Sequence, residues 1–424
     1  MRKRNAFTLI ELLAIIIILA IIAVITVPII LNVIDNAKKG SIKDSAYGYK
    51  NAVLQFYTSK IMDEPNLKMN NRYIISNNGE LSDGINTYQI NFTGSTPTGG
   101  YLDYLNNNLG NGCITIDDYK VIISNGNLVS VEKGICELPK SKCIRALERH
   151  TEECVRSSGG CHTTGHYEGG SKNSTTVYYG NLGVSGGPLV SGDALDCDLD
   201  GDKVYDERFY FVSDLYNTQT QSFDSNYAAL VYYSDVVYIN GSIIPDNSNS
   251  SIIIYDSTSI DNPVNNNGPV TAINNLPTIN DWSNVSLLNI SRSILNEDGG
   301  NYTNNNLYEL PTSFRYERNI NGIAVPLAAR LLTIQEIERG CGSVGTGNSN
   351  EILNCDYLFE NTKYVDNSRV TWGYWLENPS SLTAGTAYLV RGDFLNVNDS
   401  LITRDGRYGV RPVIEVLKYD ISLD

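Results

Sequence analysis

Histidine is scarce in this chain, three in 424 residues, and none belongs to a His-Glu-x-x-His run. That excludes the helix-borne zinc peptidase site and leaves little imidazole for proton transfer. Positive charge is also short: 32 Lys and Arg stand against 47 Asp and Glu, for a formal net charge of -15. No local basic patch offsets it, so neither nucleic acid nor anionic lipid is expected as a direct ligand. Three Trp and nine Phe are few beside 28 Tyr. With heavy Asn use, this reads as a solvated, strand-rich exterior. Asn-x-Ser/Thr triplets, as at Asn240 and Asn289, are what such a composition yields by chance. No pair of carboxylates in a defined pocket is evident, and no enzyme activity is expected.

What the chain does have is one long apolar run at its amino end. Arg2, Lys3 and Arg4 form a basic leader, Ala6 is a small residue at its end, and from Phe7 to Leu31 the only charge is Glu11. Leu12 to Leu31 is apolar apart from Thr26 and Pro28, and about 20 residues of helix span a bilayer core of roughly 30 Å. A secretory signal would place its small-x-small cleavage site after the apolar core. Here the small residue comes before it, so the apolar segment stays with the mature chain. The basic leader holds the amino end in the cytoplasm, and the rest is exported. An acidic residue in hydrocarbon costs on the order of 2.5 kcal/mol or more, which makes Glu11 a functional candidate. The alternative is a plain signal anchor with Glu11 near the interface. Pro28 removes one helix hydrogen bond and is expected to bend or loosen the helix.

The run Ala6-Phe7-Thr8-Leu9-Ile10-Glu11 resembles the start of type IV prepilins and pseudopilins, with Ala6 where that family usually has Gly. The resemblance implies cleavage between Ala6 and Phe7 by a prepilin peptidase, with N-methylation of Phe7. It implies that Glu11, fifth in the mature chain, pairs with the amino terminus of a neighbouring subunit during assembly. Pro28 falls where many type IV pilins bend. Other pilin subunits and the pilus or secretion machinery are the implied partners.

Loss of Arg2, Lys3 and Arg4 would take the formal charge to -18. Eight Cys suit an oxidising exterior and up to four disulfides. The expected class is α+β: a long N-terminal transmembrane pilin helix, a small antiparallel β meander, then a larger irregular α+β module. The boundaries read 1–6 leader, 7–60 helix with 7–31 in the membrane, 61–137 small β domain, 138–180 Cys/His-containing linker, and 181–424 extracellular binding module. Ile30, Ile34, Ala37, Ile42, Ala46, Tyr49, Val53, Phe56 and Tyr57 recur mostly at three or four residues, which predicts one continuous helix. Cys113–Ile116, Tyr119–Ile123 and Leu128–Val131 read as strands, with Asn125-Gly126 a hairpin turn. Pilins often close this region by a disulfide, which would be Cys113 to Cys136.

In the linker, Cys143 to Cys154 reads as a short helix. Cys143, Cys154 and Cys161 lie near His150, His162 and His166, as in a zinc site, but the spacing fits no metal pattern well and disulfides suit the exterior better. With Cys341 and Cys355 read as a loop tie, Cys143, Cys154, Cys161 and Cys197 remain for two more bridges. Asp196, Asp198, Asp200, Asp202 and Glu207 resemble a twelve-residue calcium loop, with Gly201 at its bend and carboxylates at alternate positions. A solvated acidic turn is the alternative. Asp206 adjoins it.

The C-terminal module reads as strands at Phe209–Val212, Ala228–Tyr233, Val236–Ile239 and Ile252–Tyr255. A helix follows over Arg330–Gly340, with Thr333 and Glu336 as its capping box and Gly340 its stop. The end, Trp372-Gly-Tyr-Trp375-Leu376-Glu-Asn-Pro379 followed by Gly409-Val410-Arg411-Pro412, resembles uncharacterised bacterial extracellular domains thought close to the formylglycine-generating-enzyme and C-type-lectin-like group. Trp372, Trp375 and Arg411 are candidates for binding sugar or peptide. Against that, large aromatics in a loop-rich domain are usually its core, and Arg411 would then sit in a structural ion pair. Arg391-Gly392-Asp393 spells an integrin tripeptide and reads as a turn. The expected function is a minor or tip-located pilin-like subunit, membrane-inserted and then extracellular in a filament, displaying a module for adhesion to an unidentified ligand. A secretion pseudopilin or an unassembled surface anchor are the alternatives.

Overall fold

Leu9 to Asp63 forms a single 55-residue helix, α1, about 80 Å long at 1.5 Å per residue. Its two halves differ. Leu9 to Val33 is exposed throughout, while Ile42, Ala46, Tyr49, Val53 and Tyr57 are buried. Their spacing of three and four puts them on one stripe. Ile34 carries the same stripe towards the amino end but stays exposed. The structure, a computed structural model, describes residues 9–63, 72–83, 86–105, 107–153, 166–167, 176–245, 252–257, 268–293, 313–342, 354–362, 371–380, 385–392, 396–402 and 408–423. It divides into two units, Met1–Pro139 and Lys140–Asp424.

In the first unit the stripe packs on seven antiparallel strands: β1 (Arg72–Ile75), β2 (Leu81–Ser82), β3 (Thr87–Tyr88), β4 (Pro97–Leu105), β5 (Asn108–Ile116), β6 (Tyr119–Ser124) and β7 (Asn127–Lys133). Their order is β3-β2-β1-β4-β5-β6-β7. In β6 buried and half-buried residues alternate, the signature of a sheet with one face on a core. Asn125 and Gly126 both have positive φ, 48° and 73°, so the β6–β7 turn is of the kind that matches strand twist. The loop at 93–95 touches the helix so closely that a Cβ on Gly94 would lie 2.8 Å from Ser45 Oγ. A disulfide joins Cys113 in β5 to Cys136.

The second unit begins earlier than its sequence implies. Cys143–Arg145 is not helical but a strand, β8, and Thr151–Glu153 (β9), His166–Tyr167 (β10) and Thr176–Tyr178 (β11) follow. β8 lies inside a six-stranded sheet, between β12 (Ala194–Cys197) and the strand Ile421–Ser422. The expected linker over 138–180 is therefore partly built into the second unit, because Cys143 stands directly opposite Cys197 and is bonded to it. Cys154, Cys161 and His162 lie outside the described residues.

The centre of this sheet is a long hairpin, β13 (Glu207–Asn217) and β14 (Ser222–Tyr232), with the strand Val413–Leu417 beside β14. Along β13, Phe209 and Phe211 enter one apolar cluster and Tyr210 and Val212 another. Both faces are covered, which is why Phe-Tyr-Phe-Val reads as a continuous apolar run. Ile252–Tyr255 is no strand, although the Ile253 amide donates to Tyr408 O at 2.8 Å.

The helix α2 (Ile334–Cys341) has the Thr333–Glu336 capping box, and it ends at Gly342 rather than Gly340. Gly340 lies within the helix, at a point where a Cβ would be 2.2 Å from Val212 O, so it serves close packing and not the stop. Beneath α2 is a buried ion cluster. Arg330 Nε donates to Glu415 Oε1 at 2.7 Å, and its Nη1 and Nη2 donate to Glu336 at 2.9 and 2.6 Å. Burial works against the Glu336 charge, but Arg330 holds the carboxyl below the usual range.

Candidate functional site

Three places carry the residues singled out above. At the amino end Glu11 occupies the first turn of α1 and is exposed, and Pro28 lies inside the helix. Ala6 and Phe7 lie outside the described residues. Among the described residues α1 is the one helix long and apolar enough to cross a membrane.

The second place is the acidic turn after β12. Carboxylate oxygens of Asp198, Asp200 and Asp202 lie within 4.8 Å of one another. Asp198 accepts from the Gly201 amide at 2.7 Å and the Lys203 amide at 3.1 Å, and Asn284 Nδ2 donates to Asp198 O at 2.7 Å. Asp196 and Glu207 do not join this group, which corrects the twelve-residue frame. In the β12–β13 pairing Asp196 stands opposite Arg208, and Glu207 opposite Cys197. Successive strand residues point to opposite faces, so the frame's two ends are directed apart. Arg208 Nε donates to Asp196 at 2.6 Å. Burial, then the neighbouring Asp206, push the Glu207 carboxyl up to about 8.

The third place is the C-terminal aromatic region. Trp375 is fully buried, donates from Nε1 to Ile253 O at 2.7 Å, and packs edge-on to Tyr255 and Tyr408. Arg411 is also fully buried, and it donates to Tyr232 O, to Leu358 O at 2.8 Å and to Tyr357 O at 2.9 Å. Neither can meet a ligand. Arg411 is a backbone clamp with no carboxylate among these partners: each of its three side-chain nitrogens donates to a carbonyl. Trp372 is half-buried.

Among the described residues His150 joins no metal-like group, and its Nδ1 lies 3.1 Å from Glu360 Oε1. Cys143 is committed to Cys197 and Cys341 to Cys355, so the described cysteines hold no zinc. No Gly-x-Ser-x-Gly run is expected in this chain, yet Gly183-Val-Ser185-Gly-Gly187 spells that of a nucleophile elbow. An elbow needs a strand-to-helix turn. Here the run lies in the connection between β11 and β12, and no helix follows.

Residues 1–27 match the prokaryotic N-terminal methylation motif. No curated protein and no solved structure matches the chain. A motif of this kind on an apolar helix marks a type IV pilin-like or pseudopilin-like precursor, membrane-anchored and surface-assembled. It implies processing by a prepilin peptidase and assembly with other pilins.

Proposed function

We propose that this chain is a low-copy or tip subunit of a type IV pilin-like filament, carrying its second unit as a binding module rather than an enzyme. The observation that carries this is the methylation motif on a helix whose residues 9–33 are exposed. A helix surface that is apolar over residues 9–33 but for Glu11, Thr26 and Asn32 is untenable in water, so that surface is for membrane first and neighbouring helices later. Unit size supports the low-copy reading: a subunit carrying residues 140–424 in addition to its pilin part would crowd a dense helical lattice. The amino end is cytoplasmic before assembly, in keeping with Arg2, Lys3 and Arg4.

The deciding experiment is N-terminal mass spectrometry of sheared surface material and of membranes from the native host. A chain beginning at N-methylated Phe7 in the sheared fraction, well below the copy number of the principal subunit, is expected. An intact Met1 chain confined to membranes would reduce residues 7–31 to a signal anchor. Recovery only with a secretion complex would make it a pseudopilin. Glu11→Ala is expected to be processed and left out of filaments; normal incorporation would remove Glu11 from assembly.

The acidic turn is proposed as a structural calcium site held by Asp198, Asp200 and Asp202. At a calcium concentration 100 times Kd, the folded state gains about 2.7 kcal/mol. Millimolar calcium is therefore expected to raise the thermal midpoint of the second unit. Asp200→Asn with Asp202→Asn should abolish the shift while keeping the Asp198 hydrogen bonds that shape the turn. A wild-type midpoint indifferent to calcium makes this an ordinary acidic turn.

A further inference from the structure

The run Gly183–Gly187 forms part of the wall of a cleft of about 490 Å³ in the second unit, a volume in the usual range for small-ligand sites. Arg149 also lines it. Its guanidinium carbon sits 4.1 Å from the centroid of the Tyr178 ring, and the side chain is exposed. Among the described residues Arg149 has no ion-pair partner, in a chain of net charge -15. The same cleft is lined by apolar side chains that a folded protein usually hides: Val184 is 74% exposed and Val190 58%, with Leu182 half-buried.

The wall is held by a buried pair, of which Asp193 also lines the cleft. Arg145, only 4% exposed, donates from Nη1 to Asp193 Oδ2 at 2.7 Å and from Nη2 to Gly187 O at 2.5 Å. Asp193 Oδ2 in turn accepts from the Val190 amide at 3.0 Å. A Cβ on Gly183 would lie 1.9 Å from Arg145 Nη1, so the turn can pass over this pair only as glycine. A wall fixed in this way can present a shape to a ligand without first being ordered.

We infer that this cleft binds a carboxylate-bearing sugar. The inference rests on reading the second unit as a binding module, and it names that module's ligand class. The planar guanidinium of Arg149, 4.1 Å over the Tyr178 ring, is of the shape that takes a carboxylate through two N–H groups. The C–H face of a pyranose ring lies against Val184 and Val190, and turn backbone groups meet hydroxyls. One cation in acidic surroundings selects a monoanion over a polyphosphate or nucleic acid.

The test uses the full processed chain in detergent, with the methyl glycosides of N-acetylneuraminic acid and glucuronic acid and their neutral methyl esters. At least one acid should bind ten or more times more tightly than its ester. Arg149→Gln should lower acid affinity to the ester level, and Arg149→Lys should restore only part of it. Val184→Asp, which leaves Arg149 in place, should weaken the acid at least tenfold by placing a like charge in the cleft. Acids and esters binding alike, or Arg149→Gln binding like wild type, would overturn the inference. So would Arg149-dependent capture of a Glu-rich peptide with no sugar bound. Filament incorporation of Arg149→Gln should be normal. Normal incorporation without sugar binding removes the cleft inference alone, whereas a chain never processed removes the filament reading as well.

Discussion

The two units solve burial in opposite ways. In the first, one helix stripe meets one face of one sheet, and long charged side chains pair in the open, as where Lys38 Nζ lies 2.9 Å from Asp118 with both side chains more than two-fifths exposed. In the second, the central sheet is covered on both faces, and Arg330, Glu336 and Arg411 are completely buried. A one-faced sheet and a bare helix leave surface for neighbours; a two-faced sheet with internal ion pairs is complete in itself. The first unit is thus built to be finished by assembly, and the second to keep its shape whatever it is attached to.

The sharpest way to break this contrast is Arg330→Met. It strands Glu336 without its ion-pair partner and leaves Glu415 with only Arg292 Nη1 at 3.7 Å, and breaking a buried pair in this way costs about 3–5 kcal/mol. In calorimetry of the full chain, the transition of the second unit should fall by roughly ten degrees and that of the first should stay in place. Adding Glu336→Leu and Glu415→Leu should recover much of the loss, since well-packed apolar replacements of buried ions are often neutral. A single shared transition that moves as a whole would show the units to be one cooperative body.

Removing disulfides one unit at a time sharpens the comparison. Cys143 and Cys197 are 54 residues apart and Cys113 and Cys136 are 23 apart. Loop-closure entropy gives about 4 and about 3 kcal/mol respectively. Paired Cys→Ala variants should therefore cost the second unit more than the first, read as separate midpoints in guanidinium. The gap should exceed the entropic difference, because Cys143 and Cys197 are both fully buried and their loss leaves a cavity. Equal losses would mean that loop length and burial do not set the cost here.

The same contrast explains what could be read without coordinates. Regular, one-sided elements were legible: the helix stripe from Ile42 to Tyr57, the hairpin at Asn125-Gly126 and the capping box at Thr333 each express a local period or turn rule. The second unit was legible only in pieces, because two-faced burial erases alternation and local rules then mislead. Cys143–Arg145 looked helical yet is a strand, its state decided by Cys197 and Ile421 far along the chain. Asp196 and Glu207 had the spacing of calcium ligands, but hairpin pairing turned them to opposite faces. Trp375 is core, as large aromatics in a loop-rich domain usually are, but Arg411 sits among three carbonyls and not in the expected ion pair, since nothing local says which acceptors will enclose a cation. The cleft beside Arg149 had no sequence signal except an unexplained density of glycine from 180 to 187.

The smallest expected effect tests whether α2 is held locally or by the ion cluster beneath it. Thr333 Oγ1 accepts from the Glu336 amide at 3.3 Å, and the Thr333 amide donates to Glu336 Oε2 at 3.2 Å. Thr333→Ala removes the first bond and leaves the second, while Arg330 still holds the carboxylate through two more. The cost should be that of an N-cap, about 1 kcal/mol, lowering the midpoint of the second unit by about 2–4 °C. Thr333→Ser should be nearly silent, since the hydroxyl acceptor is retained. A loss approaching that of Arg330→Met would mean that the cap positions Glu336 for the guanidinium. Cap and ion cluster would then be one device, and the second unit's independence would hang on a single buried hydroxyl as much as on its charges.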